Sequence, residues 1–257
     1  MGVQVSEHVY VYCAVEGVPD GLLGAGMPDG QPPRTIRLDH AVSLIASTVP
    51  SAIYNAEALE PKLADLDWVA TAGAAHHAVV DALAEGGCVV LPFRLFTIFS
   101  HERRVLETFQ SAREAMDRAF ARVRGRQEWV LRIGKPDLAR VATPQAAETP
   151  ATGTGFLRAK ADARRETLAR AERVKQDATA SFDAVARLAD AAASRPVDPA
   201  GNLLCDGAFL MPPSRVDAAR DALTLSAAQL LRDGCPVSLT GPWPPYSFAT
   251  LDGTADG

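Results

Sequence analysis

The residues with the greatest chemical capacity are His76, His77, Asp81 one turn further on, the thiol of Cys88 and the guanidinium of Arg94. A cysteine beside an imidazole that a carboxylate orients is a nucleophilic arrangement, so Cys88 with His76 or His77 and Asp81 defines the enzymatic reading. Two physical arguments oppose it. Cys88 opens the apolar run 88–99, and a thiol inside such a strand has a raised pKa and poor access, the opposite of what a nucleophile needs. Adjacent residues on a helix point about 100° apart, so His76 and His77 cannot grip one ion together, and no carboxylate but Asp81 sits a turn away. A structural role for the pair is favoured. Arg94, inside the same apolar run, is expected to be buried in a structural ion pair rather than to bind an anion. Cys13, Cys88, Cys205 and Cys235 lie far apart without a C-x-x-C pair, which fits buried free thiols in a reducing cytoplasm. Gly24-Ala-Gly26 and Gly153-Thr-Gly155 lack the strand-to-helix setting of a phosphate loop. No metal, cofactor or nucleotide is expected.

The elements that would position these residues follow from periodicity. Residues 9–15 alternate as a strand, 17–33 are rich in Gly and Pro and read as a long surface loop, and 35–38 with 41–48 suggest a hairpin about Asp39-His40. Glu60-Pro61 predicts a helix start, with Leu63, Leu66, Ala70, Gly73, His77, Val80 and Leu83 as its inner face and Gly86-Gly87 as its end. Residues 88–99 predict a central strand, with a bulge or sheet end at Pro92. Ser100 can cap the next helix, whose stripe is Val105, Phe109, Ala112, Met116, Ala119 or Phe120, and Val123. Gly125 ends it, and a strand follows over 128–133.

The fold class this implies is α+β, with two domains at 1–125 and 126–257, each a small mixed or antiparallel sheet with packed helices. Residues 143–155 have the composition of a connecting loop. From 156 to 194 there is no Gly or Pro, and the composition predicts one long helix, or two with a bend near Asp177, carrying an Ala-rich stripe through Leu157, Ala161, Leu168, Ala171, Val174, Ala178, Phe182, Val185 and Ala189. Such a stripe favours close packing, on its own domain or on another chain. A strand over 203–211, a helix opened by Pro212-Pro213-Ser214 and a strand over 237–240 complete a ferredoxin-like second domain with a long helical insert.

Composition bounds the function. Of the 257 residues, 47% are hydrophobic and 22% charged, with a formal net charge of −5, which describes a folded chain without global attraction to phosphate, so nucleic acid is not expected as a partner. The run 88–99 is too short to span a bilayer and contains Pro92 and Arg94, and the first residues lack the pattern of a signal peptide. No lipid membrane contact is expected, and a cytoplasmic location is.

Near the C-terminus, Pro236-Val-Ser-Leu-Thr-Gly-Pro-Trp-Pro-Pro-Tyr-Ser-Phe248 holds nothing that does chemistry. Gly241-Pro242 is expected to halt the strand, and the prolines around Trp243 favour a stiff extended path that packs Trp243 and Tyr246 on the domain's own core, or else exposes them as a docking strip. This stretch resembles the signature of the gas vesicle protein F and L family (GvpF/GvpL), T-G-P-W-P-P-Y-x-F, in Gly241, Pro242, Trp243, Pro244, Pro245 and Tyr246. Tyr10-Val-Tyr12 is similar to the family's opening strand, Asp67-Trp68 with His76 to its D-W…H helix, and Val90-Leu-Pro92-Phe-Arg94 with Thr97 and Phe99 to its V-L-P-x-R-F-G-T-x-F strand. Glu128-Trp129 is a further match. Leu95-Phe96 stands where the F-like members have Phe-Gly, which argues for an L-like member or a divergent branch.

The resemblance implies a non-enzymatic accessory or minor structural protein of gas vesicles, associated with them in the cytoplasm. Its partners would be the hydrophobic shell protein and other accessory proteins. Within the long helix, Leu168, Ala171, Val174, Ala178 and Phe182 are the candidate contact residues.

Overall fold

The computed structural model describes residues 7–17, 24–136 and 153–251. The chain divides into two compact units, Met1–Gln127 with Trp243–Gly257, and Glu128–Pro242. The last stretch thus belongs to the first unit, not to the domain that 126–257 would form as one piece.

In the first unit β1 (Glu7–Glu16) lies inside a sheet of order β2-β3-β1-β4, formed with β2 (Arg34–Arg37), β3 (Val42–Pro50) and β4 (Val89–Pro92), while the two-residue β5 (Ile98–Phe99) also pairs with β1. The β2–β3 hairpin forms where Asp39 predicts it, because the Asp39 carboxylate accepts the N–H groups of Ala41 and Val42 and closes the turn. Residues 10–15 of β1 are fully buried, and its antiparallel register slips between Val11 and Cys13. The run 88–99 is neither central nor continuous. Pro92 has no N–H to give and ends β4, and the chain then turns as Thr97 donates through N–H and hydroxyl to the Arg94 carbonyl. That turn leaves Arg94 exposed, which corrects its expected burial.

The segment 51–85 forms three helices, α1 (Ser51–Tyr54), α2 (Ala56–Lys62) and α3 (Leu66–Glu85). Pro61 does not start a helix but sits in the last turn of α2, and Asp65 caps α3 by accepting the N–H groups of Asp67 and Trp68. Val80 and Leu83 of the expected inner face are buried, joined by Ala72, His76 and Val79, while Leu66 and, ahead of the helix, Leu63 are exposed. α4 (Glu102–Ser111) is capped by His101 rather than Ser100 and is followed, after Ala112, by α5 (Arg113–Val123). Their stripe of Val105, Phe109, Ala112, Met116, Ala119, Phe120 and Val123 is buried throughout.

The second unit runs β6 (Gln127–Gly134), α6 (Gly153–Ala186), β7 (Ala191–Ser194), β8 (Leu203–Met211), a 3-10 turn, α7 (Val216–Ser226), α8 (Ala228–Arg232) and β9 (Val237–Trp243). Its sheet order is β7-β8-β6-β9. In chain rank this is 2-3-1-4, with helices after the first and third strands, the ferredoxin-like βαββαβ arrangement. The first unit repeats the rank order, and among its described residues no helix lies between its first two strands. The expected connecting loop at 143–155 lies largely outside the described residues. α6 ends eight residues before Ser194, because the uncharged Ala191–Ser194 segment pairs with β8 through Ala191↔Leu210 to Ser194↔Gly207, so tertiary pairing overrides alanine's helix preference there.

The predicted stripe on α6 divides. Val174, Ala178 and Val185 are buried in the unit's core with Phe182 packed against it, whereas Leu157, Ala161, Leu168 and Ala171 are exposed. Val174 and Ala178 are therefore occupied by intramolecular packing and not open to a partner. Phe182 lies flat on the sheet because position 207 has no side chain: a Cβ on Gly207 would come within 2.6 Å of the Phe182 ring. Gly207→Ala is expected to destabilise the second unit by about 1–3 kcal/mol through overpacking, measurable by urea unfolding; an unchanged midpoint would show that the helix shifts without cost.

Candidate functional site

Of the first-unit signature residues, Tyr10, Tyr12, Trp68, His76 and Tyr246 gather in one aromatic cluster, while Arg94 is exposed and Phe99 packs on Phe109 instead. Tyr10 and Tyr12, two apart on β1 and so on one face of it, contact each other and His76 of α3, with ring centroids 4.9 to 5.8 Å apart. The N–H of Phe96 donates to the Tyr10 hydroxyl at 3.3 Å, which leaves that hydroxyl to donate to His76 Nδ1 at 2.7 Å. Met27 N–H donates to the Tyr12 hydroxyl at 2.9 Å, and the Tyr12 hydroxyl meets Ser47 Oγ at 2.8 Å. The loop read from the sequence as surface therefore closes over Tyr12, and Met27 is buried; the isolated methionine among Gly and Pro was its only signal.

Burial, with the neighbouring His77 in the same sense and the Phe93 backbone opposing, lowers the His76 pKa to about 4. At neutral pH it is an uncharged acceptor in a hydrogen bond, and burial raises the Tyr10 and Tyr12 hydroxyls above their ordinary pKa. Trp68 stacks on Phe96 with centroids 5.5 Å apart, under the Lys62 ammonium. Phe96 itself has φ 65°, the left-handed conformation glycine adopts freely. This is the position at which the F-like pattern has Gly, so the stack on Trp68 offsets the backbone strain here.

His77, on the next face, meets Asp81 at 3.1 Å and the Tyr246 hydroxyl at 3.3 Å, and its ring is 5.8 Å from that of Trp243. Tyr246 packs on the first-unit core, Pro244, Pro245 and Phe248 are buried, and the Arg122 guanidinium donates to the Phe248 carbonyl. The C-terminal strip is thus anchored by its prolines and Phe248, while Trp243 remains 42% exposed. The strand is not halted at Gly241: β9 continues through the cis Gly241-Pro242 bond to Trp243.

A second group of signature residues gathers in the other unit. Glu128 is buried and accepts from Arg195 at 3.0 Å, and Arg195 also reaches Asp206 at 3.3 Å. The Arg220 guanidinium lies 4.9 Å above the neighbouring Trp129 ring. Gly241, at φ 150°, passes so close that a Cβ would fall 2.9 Å from the Glu128 carbonyl oxygen and the Trp129 ring. Arg195 makes a buried ion pair here that spacing does not mark, because Arg195 follows an alanine run read as helix.

Of the residues in the enzymatic reading, Asp81 meets His77 at 3.1 Å, as an orienting carboxylate would, while His76 is bonded to Tyr10. Burial pushes the Cys13 and Cys235 thiols up and that of Cys205 up to about 11. All four cysteines are free thiols. A cleft of about 160 Å³ in the second unit, lined by Phe182, Arg195, Leu204 and Cys205 among others, is well below the roughly 300–1,000 Å³ of ordinary ligand pockets. Among the described residues no cluster of three His, Cys, Asp or Glu could hold a metal, and no helix is long and apolar enough to cross a membrane.

Two ferredoxin-like α+β units, each carrying a buried cluster of signature residues, define a scaffold class seen in solved gas vesicle proteins. GvpF from Anabaena sp. PCC7120 matches with a TM-score of 0.67 at 17% identity, over 98% of this chain and 100% of that one. GvpF from Microcystis aeruginosa matches with 0.64 at 18%, over 95% and 99%. The family model for gas vesicle synthesis protein GvpL/GvpF covers residues 8–250. Gas vesicle protein L of Streptomyces sp. (strain CB03234) is 33% identical, over 94% of this chain and 92% of its own length. Gas vesicle protein L2 of Halobacterium salinarum is 30% identical over 96% and 92%. The chain belongs to the GvpL/GvpF family of gas vesicle proteins.

Two measurements test the first cluster. Because the folded pKa of His76, about 4, lies below the unfolded value near 6.5, the unfolded chain binds more protons between them. Stability from this residue is therefore complete above about pH 6.5 and is lost as pH falls to about 4, a change of about 2–3 kcal/mol. Urea unfolding across that window should show the loss, and His76→Gln should flatten it; parallel curves would refute the assignment. Phe96→Gly is expected to retain about 1 kcal/mol more stability than Phe96→Ala, since both lose the stack but only glycine relieves the φ strain. Equal melting temperatures would show that the turn relaxes.

Proposed function

We propose that this protein serves gas vesicle assembly without catalysis, by contact with the hydrophobic shell protein and with accessory proteins in the cytoplasm. The observation that carries this is the exposed first part of α6: every residue from 157 to 169 is exposed, Leu157 and Leu168 by 65% and 62%, while the same helix is anchored in a core from Val174 onward. A helix held rigidly at one end presents the other to a partner at little further ordering cost. The two signature clusters supply stiffness: Tyr10 is bonded to His76, Tyr12 to Ser47 and Glu128 to Arg195 within the fold. Trp243, more than two-fifths exposed beside His77, offers a smaller apolar contact.

Leu157→Asp with Leu168→Asp should leave the melting temperature unchanged, because neither side chain is buried, yet abolish co-purification with shell or accessory proteins and vesicle formation in complemented cells. Normal vesicles and co-purification would overturn the assignment. Ala178→Glu, which places a charge in the core, is the contrasting variant and should unfold the second unit at a cost of several kcal/mol.

A further inference from the structure

α6 carries two separate seams. The first, through Val174, Ala178, Ser181 and Val185, is buried within the second unit. The second runs through Leu157, Ala161, Arg164, Leu168, Ala171 and Lys175, at alternating steps of four and three residues, and all six are exposed. That alternation is the spacing of a coiled-coil seam and holds the six in one narrow stripe, roughly a quarter-turn round the helix from the buried one. The packing that covers the first seam therefore leaves the second open along its length.

Charge distinguishes what fits it. Residues 157–175 carry seven Arg or Lys against three Asp or Glu, a surplus of four positive charges in a chain whose net charge is −5, so the remaining residues carry −9. Of the seven, Arg165 has a long exposed contact to Asp162, and Arg170 is tied to Asp233. Among the described residues, Arg158, Lys160, Arg164, Arg173 and Lys175 have no carboxylate partner. Two of these, Arg164 and Lys175, are in the seam itself. A second copy of the stripe would set one positive surplus against another, which disfavours self-pairing. The −9 elsewhere on the chain opposes the approach of a polyanion such as a nucleic-acid duplex.

We propose that this second seam receives a helix of a partner protein whose facing side carries apolar residues against Leu157 and Leu168 and Glu or Asp against Arg164 and Lys175. The inference rests on the contact role proposed for α6 and names the chemistry of what it contacts. The leucines contribute the buried apolar area, and the cations set partner choice and speed the encounter.

The test uses the full chain and three labelled probes: a synthetic three-heptad helix with a Leu/Ala seam and Glu on its facing positions, the same peptide with Lys for Glu, and a short DNA duplex. Fluorescence anisotropy should give a Kd for the Glu peptide at least about tenfold below that for the Lys peptide, with the difference shrinking as salt screens it. The double variant Arg164→Glu/Lys175→Glu, at exposed positions that leave the circular dichroism spectrum unchanged, should reverse the preference. Equal affinity for both peptides, no saturable binding of the Glu peptide, a duplex that binds more tightly than the peptide, or a variant that keeps the original preference would each overturn the proposal. The charge-reversed variant also separates this inference from the contact role: if it supports vesicles normally while Leu157→Asp/Leu168→Asp does not, the surface stands and its acidic partner does not.

Discussion

A buried hydrogen bond from the Tyr10 hydroxyl to His76 joins the strand at the centre of the first sheet to the helix that covers it. Both partners are desolvated, so neither can lose the other without leaving an unmet polar atom in the core, a cost of about 1–3 kcal/mol. The same hydroxyl accepts from the Phe96 backbone and so fixes the turn that follows β4. Trp68 then stacks on Phe96, and Tyr246 packs over the histidines. Strand, helix, turn and C-terminal strip are positioned through one donor and one acceptor.

The second unit solves the same problem with charge. Glu128 is buried beside Arg195, and removing that guanidinium would leave a carboxylate in a poorly solvated site without its ion pair. Gly241 passes over the backbone of Glu128 and the ring of Trp129, so β9 lies close against β6 only because that position has no side chain. These are constraints of shape and polarity, in a chain whose relatives are gas vesicle proteins.

Much of this was legible in the sequence because it depends on local pattern. The stripe from Val105 to Val123, the hairpin about Asp39 and the strand, helix and strand that close the second unit from Leu203 onward follow from spacing and turn chemistry. What failed depended on partners distant in the chain. Asp65, not Pro61, starts α3, and its buried face takes in His76, where the spacing marks His77. Ala191–Ser194, helical by composition, was drawn into the sheet by β8. The α6 stripe read as one surface because periodicity cannot tell where a sheet stops covering a helix. The family signature marked Glu128 and Gly241, but nothing local paired the first with Arg195 or brought the second over Trp129.

The chain leaves the first unit at Gln127 and re-enters it at Trp243, so the second unit is an insertion within the first. During synthesis the ribosome delivers the material for β1 to α5 long before Tyr246 and Phe248 emerge, and the second unit, contiguous in sequence, can complete its sheet before its predecessor is finished. Loss of the final residues from Trp243 onward is, in effect, an N-terminal defect, since it strips Tyr246 from the aromatic cluster and the Phe248 carbonyl from Arg122. The residues that complete the first core therefore stand on both sides of the second unit in the chain.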